Sequence, residues 1–254
     1  MRAIWSGSVS FGLVNIPVKL YSAVGEDRIN FDLLHAHDMS RIRYARVCKA
    51  EEKEVANEDI VKGYEYSKGE YVVIDDEDFK KANLRRTSTI EISGFTGAEK
   101  IDSIFYEKPY YLEPDKGAAK AYALLREALN KSGKVGIAGF VMRNKEHLAI
   151  LKPEGDVLVL NQIRFYGDLR DTHGLTIPSV DFSKGELEMA LSLVAQLEKD
   201  FVPADHKDLY TAELKSLIQD KVKGRPPKAR GVAPKPTDVD ELMDALRKSL
   251  ENAA

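Results

Sequence analysis

His35, His37, Asp38 and Cys48 are the residues whose types could hold a metal ion, because two imidazoles, a carboxylate and a thiolate fall in one short stretch. Their spacing is irregular and the set is incomplete. With a single cysteine in 254 residues, Cys₄ and Cys₂His₂ zinc modules and any internal disulfide framework are excluded. Cys48 has no assignable His or Asn partner, so it suits a small apolar role better than a nucleophile's. Gly7-Ser8-Val9-Ser10-Phe11-Gly12 approaches a nucleophile elbow, but Val9 stands where the serine must be. Walker, dinucleotide-binding and zinc-protease signatures do not occur, and Asp75-Asp76-Glu77-Asp78 suits the first turn of a helix.

Cations on β-type segments and turns are more informative. Arg41, Arg43, Arg46, Arg85, Arg86, Lys108, Arg143, Lys145 and Arg164 stand in or beside expected strands, and Arg28 joins them as a candidate. Each alone can be an edge charge that discourages strand pairing. Together they can line a concave wall that binds phosphates, with salt-sensitive and sequence-independent affinity. Lys plus Arg number 38 against 41 Asp plus Glu, a net charge of -3, so such a wall has to be a local patch.

Positioning these side chains needs a core, and 43% apolar residues over 254 positions suffice for one or two domains. From Ile4 to Leu112 short β-type segments alternate with turn glycines. Ala3–Phe11 and Val14–Tyr21 are expected strands joined at Gly12-Leu13, and Arg41–Val47 alternates basic with apolar residues as a strand does. Asp75–Asn83 is expected as a short helix before a strand over Ser88–Phe95. Asp115 is the expected cap of a helix running to about Lys131 and closed by Ser132-Gly133. Val135–Arg143, His147–Lys152 and Val157–Phe165 follow as an antiparallel meander. Strands on both sides of one crossover helix argue for a barrel or sandwich with helical additions.

From Ser183 the period becomes helical. Ser183-Lys184-Gly185-Glu186 is a capping box before Leu187, Ala190, Leu191, Val194 and Leu197. Asp205 is the expected start of a second helix that must end by Gly224-Arg225-Pro226-Pro227. Residues 221–236 carry six cations, no anion and four prolines, a basic extended linker that contains Lys221, Lys223, Arg225, Lys228 and Arg230. A last helix capped at Thr237 or Asp238 shows Val239, Leu242, Met243, Leu246 and Leu250 on one stripe, and the last four of these are candidates for docking a partner. The expected organisation is therefore a β-rich core over 1–182, a helical arm over 183–221, the linker over 222–237 and a terminal helix over 238–254. No apolar run approaches the ~20 residues that span a bilayer, and no signal-peptide pattern follows Met1-Arg2-Ala3-Ile4-Trp5, so a cytoplasmic protein is expected.

The segment from Arg2 to Tyr21, RAIWSGSVSFGLVNIPVKLY, resembles the opening of prokaryotic Ku proteins. Arg41-Ile42-Arg43-Tyr44 through Val47-Cys48, Ile60 to Tyr66, and Tyr110-Tyr111-Leu112-Glu113-Pro114 are similar to later blocks of that family in the same order. The meander around Leu160-Asn161 and the segment from Asp208 to Gly224 continue the similarity, which covers nearly the whole chain.

That resemblance implies a mainly β fold with helices, a Ku-core-like barrel with bridging arms that forms a ring-shaped homodimer threaded on broken double-stranded DNA. It further implies a role in non-homologous end joining, recruitment of an ATP-dependent ligase of the ligase D type, no chemistry of its own, no cofactor, no membrane and work at breaks in the bacterial nucleoid. Two departures stand out. Relatives with a second cysteine pair after the position of Cys48 differ from the Cys48-Lys49-Ala50-Glu51-Glu52 found here, which argues against a metal, and the basic tail is short, so the resemblance implies only weak extra DNA contacts there, from Lys221, Lys223, Arg225, Lys228 and Arg230. The competing reading is a β-rich nucleic-acid-processing enzyme using His35, His37, Asp38 and Cys48. Tyr106, Tyr110, Tyr111 and Leu112 are expected as apolar surface left for a partner subunit to cover.

Overall fold

The computed structural model describes residues 1–25, 29–82, 88–225 and 242–253. It divides into two units, Met1–Asp27 with Asp32–Asp171 and Arg28–Phe31 with Thr172–Ala254.

The first unit is built on a closed seven-stranded barrel of β1 (Trp5–Phe11), β2 (Val14–Ser22), β5 (Thr89–Gly97), β6 (Tyr106–Pro114), β7 (Lys134–Met142), β8 (Lys145–Glu154) and β9 (Val157–Ile163). Their order around the barrel is β1-β2-β6-β9-β8-β7-β5. All pairs are antiparallel except β1 with β5, whose short parallel ladder from Ser8↔Thr89 to Ser10↔Glu91 closes the cylinder. Strand alternation fills the interior, so Ile16, Val18 and Leu20 of β2 are buried while Lys19 and Tyr21 face out. Gly7 has to lack a side chain, because a Cβ there would overlap the Ser88 carbonyl and the Trp5 ring.

Helix α2 (Ala119–Ser132) sends Tyr122, Leu125 and Leu129 into the barrel's core cluster. Its end is the αL residue Gly133, as its sequence predicts, but its start differs. Ala118 occupies the N-cap position without a side-chain cap, because the Asp115 carboxylate is engaged by Lys19 at 3.0 Å instead. Tyr110 and Leu112, expected at the surface, are core residues with 3% and 1% exposure. They alternate inward along β6, which the sequence around them conceals because Tyr111 between them is also aromatic.

Helix α1 (Asp76–Ala82) follows a hairpin of β3 (Lys62–Ser67) and β4 (Glu70–Ile74), whose residues are exposed on both faces apart from half-buried Ile74. Arg41–Val47 is not a strand. Only the single bridges Leu34↔Arg41 and Val47↔Glu54 form there, since the segment lies exposed without a neighbouring strand along its length.

In the second unit Ser183 accepts from the Glu186 N–H while Glu186 accepts from the Ser183 N–H, the predicted capping box of α3 (Lys184–Leu197). Helix α4 (Leu209–Val222) begins later than expected. Pro203–Asp205 forms only a 3₁₀ turn, and Asp208 is the cap, accepting from the Thr211 N–H at 2.9 Å. Helix α5 (Leu242–Ala253) packs against α3, with Met243, Leu246 and Leu250 half-buried and Gln196 Nε2 donating to the Leu250 carbonyl at 3.2 Å. The cap expected at Thr237 or Asp238 lies outside the described residues. No helix among the described residues is long and apolar enough to cross a membrane.

Candidate nucleic-acid interface

The barrel end opposite α2 is formed by the β7–β8 turn, the start of β6 and the end of β9. Met142↔Lys145 closes the hairpin, so Arg143 and Asn144 are its two turn residues, with φ of 54° and 62°. Both left-handed positions belong to a turn whose twist suits a hairpin but which glycine fills more cheaply. An arginine held there is an exposed cation on a fixed, strained backbone.

Around this turn the structure gathers Lys108, Arg143 and Lys145. The Lys108 ammonium stands 5.7 Å over the Tyr110 ring. Tyr110 Oη donates to Gln162 Oε1 at 3.3 Å, and Gln162 Nε2 donates to Glu107 at 2.9 Å, a chain of polar groups in an apolar wall. Burial pushes the Tyr110 phenol above its ordinary value, with the Arg143 charge acting the other way. His147, whose ring lies 5.3 Å from that of Phe140, is held below its ordinary pKa by burial and secondarily by Lys145, while the Met142 backbone raises it. This end therefore offers three exposed cations beside a neutral imidazole and a neutral phenol, an arrangement suited to phosphate oxygens.

The remaining candidates are placed differently. Arg164 Nη1 donates to the carbonyls of Ile104 and Tyr106 at 3.1 and 2.7 Å, bracing the loop before β6. Arg41 pairs with Asp32 at 3.0 Å and Arg43 with Glu54 at 3.1 Å, both exposed, and Arg46 lies exposed in the same irregular segment. Lys221 and Lys223 are exposed at the end of α4, and Arg225 lies 3.9 Å from Asp220. Arg28, Arg85, Arg86, Lys228 and Arg230 lie outside the described residues.

His35 Nδ1 is 3.0 Å from Asp38, whose carboxylate also accepts from the Ser40 N–H and hydroxyl, which hold it below its ordinary pKa. The Cys48 thiol is lowered by the backbone N–H groups of Glu51 and Ala50. Among the described residues no three His, Cys, Asp or Glu side chains come together as a metal set, so the four residues of the enzyme reading are not assembled into one site. Sequence reasoning missed Tyr110, His147, Gln162 and Glu107 as members of the cationic end. Their signal was the register, since Lys108↔Gln162 and Phe140↔His147 are ladder partners that no short window shows.

The barrel is a β-barrel of the Ku type: the family model for the Ku70/Ku80 beta-barrel domain matches residues 10–189. Proteins named non-homologous end joining protein Ku match along nearly the full chain. That of Opitutus terrae is 42% identical, covering 98% of this chain and 91% of the relative. That of Archaeoglobus fulgidus is 42% identical over 99% of both. That of Pseudomonas aeruginosa is 40% identical, covering 100% of this chain and 89% of the relative. The chain belongs to the Ku family.

Proposed function

We propose that this protein binds the ends of double-stranded DNA in non-homologous end joining, independently of sequence, as a homodimer whose two barrels and arms form a ring. The observation that carries this reading is the cluster of Lys108, Arg143 and Lys145 at one barrel end of a chain whose relatives bear that name. Cations set on strands and a turn contact phosphates without reading bases, which gives affinity without sequence preference. Self-association is supported by the exposed apolar faces of α3 and of the β3–β4 hairpin. The protein acts as a scaffold in the nucleoid, performing no chemistry and handing the held ends to an ATP-dependent ligase of the ligase D type.

Binding to linear duplex and to covalently closed circular DNA of the same sequence tests this, with and without divalent metal. A ring needs an end to thread, so the linear form should bind at least about tenfold tighter and be released intact. Equal affinity for the closed circle would remove the ring, and a cleaved or otherwise altered DNA product would favour an enzyme.

A further inference from the structure

Cross-strand partners share a face of the sheet, and for Lys108, Lys145 and His147 that face is the inner one. On the β7–β8 hairpin Lys145 pairs with Met142 and His147 with Phe140, and further along the same row Ala149 pairs with Ala138. Met142, Phe140, Ala138 and Ala149 all belong to the barrel's core cluster. On β6 and β9, Lys108 pairs with the buried Gln162, and Tyr110 lies one inward position deeper. Lys108 and Lys145 therefore rim the mouth of the barrel, with His147 half-buried just below the rim.

The imidazole is held from below by other rings. Trp5 Nε1 donates to the Val141 carbonyl at 3.1 Å and its ring meets Phe140 edge-on at 6.4 Å, while the Phe140 ring lies 5.3 Å from His147 at a tilt of 32°. A side chain packed in this way meets a ligand without first having to be ordered. The charged and titratable groups around it are Lys145 on its own strand, Arg143 in the turn, and Glu107, Lys108 and Tyr110 on β6. Burial, and after it Lys145, resist a proton on His147, whereas the Met142 backbone and Glu107 favour one. Glu107 is itself held by Gln162 Nε2 at 2.9 Å.

A phosphodiester keeps its negative charge throughout the range in which imidazole titrates. Placed against Lys108, Arg143 and Lys145, it adds an anion beside His147 and offsets both the repulsion from Lys145 and part of the desolvation. We propose that His147 is a fourth contact to the DNA backbone, taking a proton from solvent when a phosphate enters the barrel mouth and so becoming a cation in the complex. This inference rests on the DNA-end reading and deepens it. Because the complex holds a proton that the free chain does not, linkage requires DNA to bind more tightly as pH falls.

Fluorescence anisotropy of the full chain with a labelled linear duplex, at about pH 7.5 and about pH 5.5 and at several salt concentrations, tests it. Affinity is expected to rise about threefold or more at the lower pH, with a log-log salt slope steeper by up to about 0.9. Calorimetry in buffers of different ionisation enthalpy should show net proton uptake on binding. His147→Phe keeps a ring against Phe140 and His147→Gln keeps a polar side chain, so the second reports where the first lowers the melting temperature. Both should lose the rise in affinity and the proton uptake, although His35, His37, His173 and His206 remain. A pH response and proton uptake that persist in the folded variants, or an unaltered chain whose affinity is the same at both pH values, would overturn the proposal and leave the DNA-end reading standing. No duplex binding at either pH would remove that reading and this proposal together.

Discussion

Arg143 combines a costly backbone conformation with a place in the cluster proposed to contact DNA. A non-glycine side chain at φ 54° costs on the order of 1 kcal/mol, yet the same turn fixes a cation beside Lys108 and Lys145. Changing Lys108, Arg143 and Lys145 together to Glu is expected to weaken binding to every duplex alike by about tenfold or more. The log-log salt slope should become shallower by about 0.9 for each cation that touches a phosphate. Titrations at several salt concentrations measure both, and an unchanged affinity would place the DNA path elsewhere. His147 gives the pH dependence. Its pKa is depressed in the folded chain below the ordinary value of 6.5, so unfolded chains bind more protons below that pH. Stability is therefore full above about pH 6.5 and is lost as pH falls through that value towards the folded pKa. The depressed carboxylates Asp38, Glu154, Glu186 and Asp208 act lower, as pH falls below their ordinary values of 3.8 to 4.5. His147→Phe, which keeps a ring against Phe140, is expected to flatten the melting temperature between pH 7 and 5.5; an unchanged acid slope would assign that loss to other groups.

Elements with a local signal were legible, and those defined by distant partners were not. The Ser183 capping box, the Gly133 stop and the β7–β8–β9 meander each rest on residues within a few positions of one another, and each forms as the sequence predicts. The β1–β5 parallel closure, the inward turn of Tyr110 and the failure of Arg41–Val47 to become a strand depend on what lies across the ladder. The same limit applied to the site. Arg41, Arg43, Arg143 and Arg164 look alike in sequence, and only their partners separate an exposed pair from a turn cation and a loop brace. Helix α5 poses the corresponding question at element scale. Its Met243, Leu246 and Leu250 are half-buried where α5 packs on α3, whose Met189, Ala190 and Leu193 are half-buried in turn, so a partner that takes those α5 side chains has to displace α3. Isolated helices of this length are marginal, which favours a packed or bound state over a free one. Leu242→Asp with Leu246→Asp separates the two roles. If α5 belongs to the fold, the melting temperature falls by several degrees; if it serves the ligase, melting and DNA-end binding persist while stimulation of ligation disappears.

At the scale of the whole molecule, helix α3 and the β3–β4 hairpin are two of the places where apolar surface is left in the open. On α3, Leu187, Leu191 and Val194 share a face away from the half-buried side chains and are 44%, 58% and 68% exposed. The β3–β4 hairpin leaves Tyr64 and Tyr71 66% and 61% exposed, although a two-stranded hairpin uncovered on both faces is marginal in water. Contiguous faces of this kind mark association surfaces, and in a homo-oligomer the simplest closed arrangement is a two-fold dimer in which each face meets its own copy or its complement. Polar rims add little to that free energy, so dimerisation should depend weakly on salt where DNA binding depends on it strongly. Multi-angle light scattering is expected to give twice the 28.4 kDa of one chain at micromolar concentration, at both low and high salt. Leu191→Asp with Val194→Asp should shift the species towards one chain and, by halving the ring, reduce the preference for linear over circular DNA. A single-chain mass for the unaltered protein across the concentration range would leave the ring without its second half.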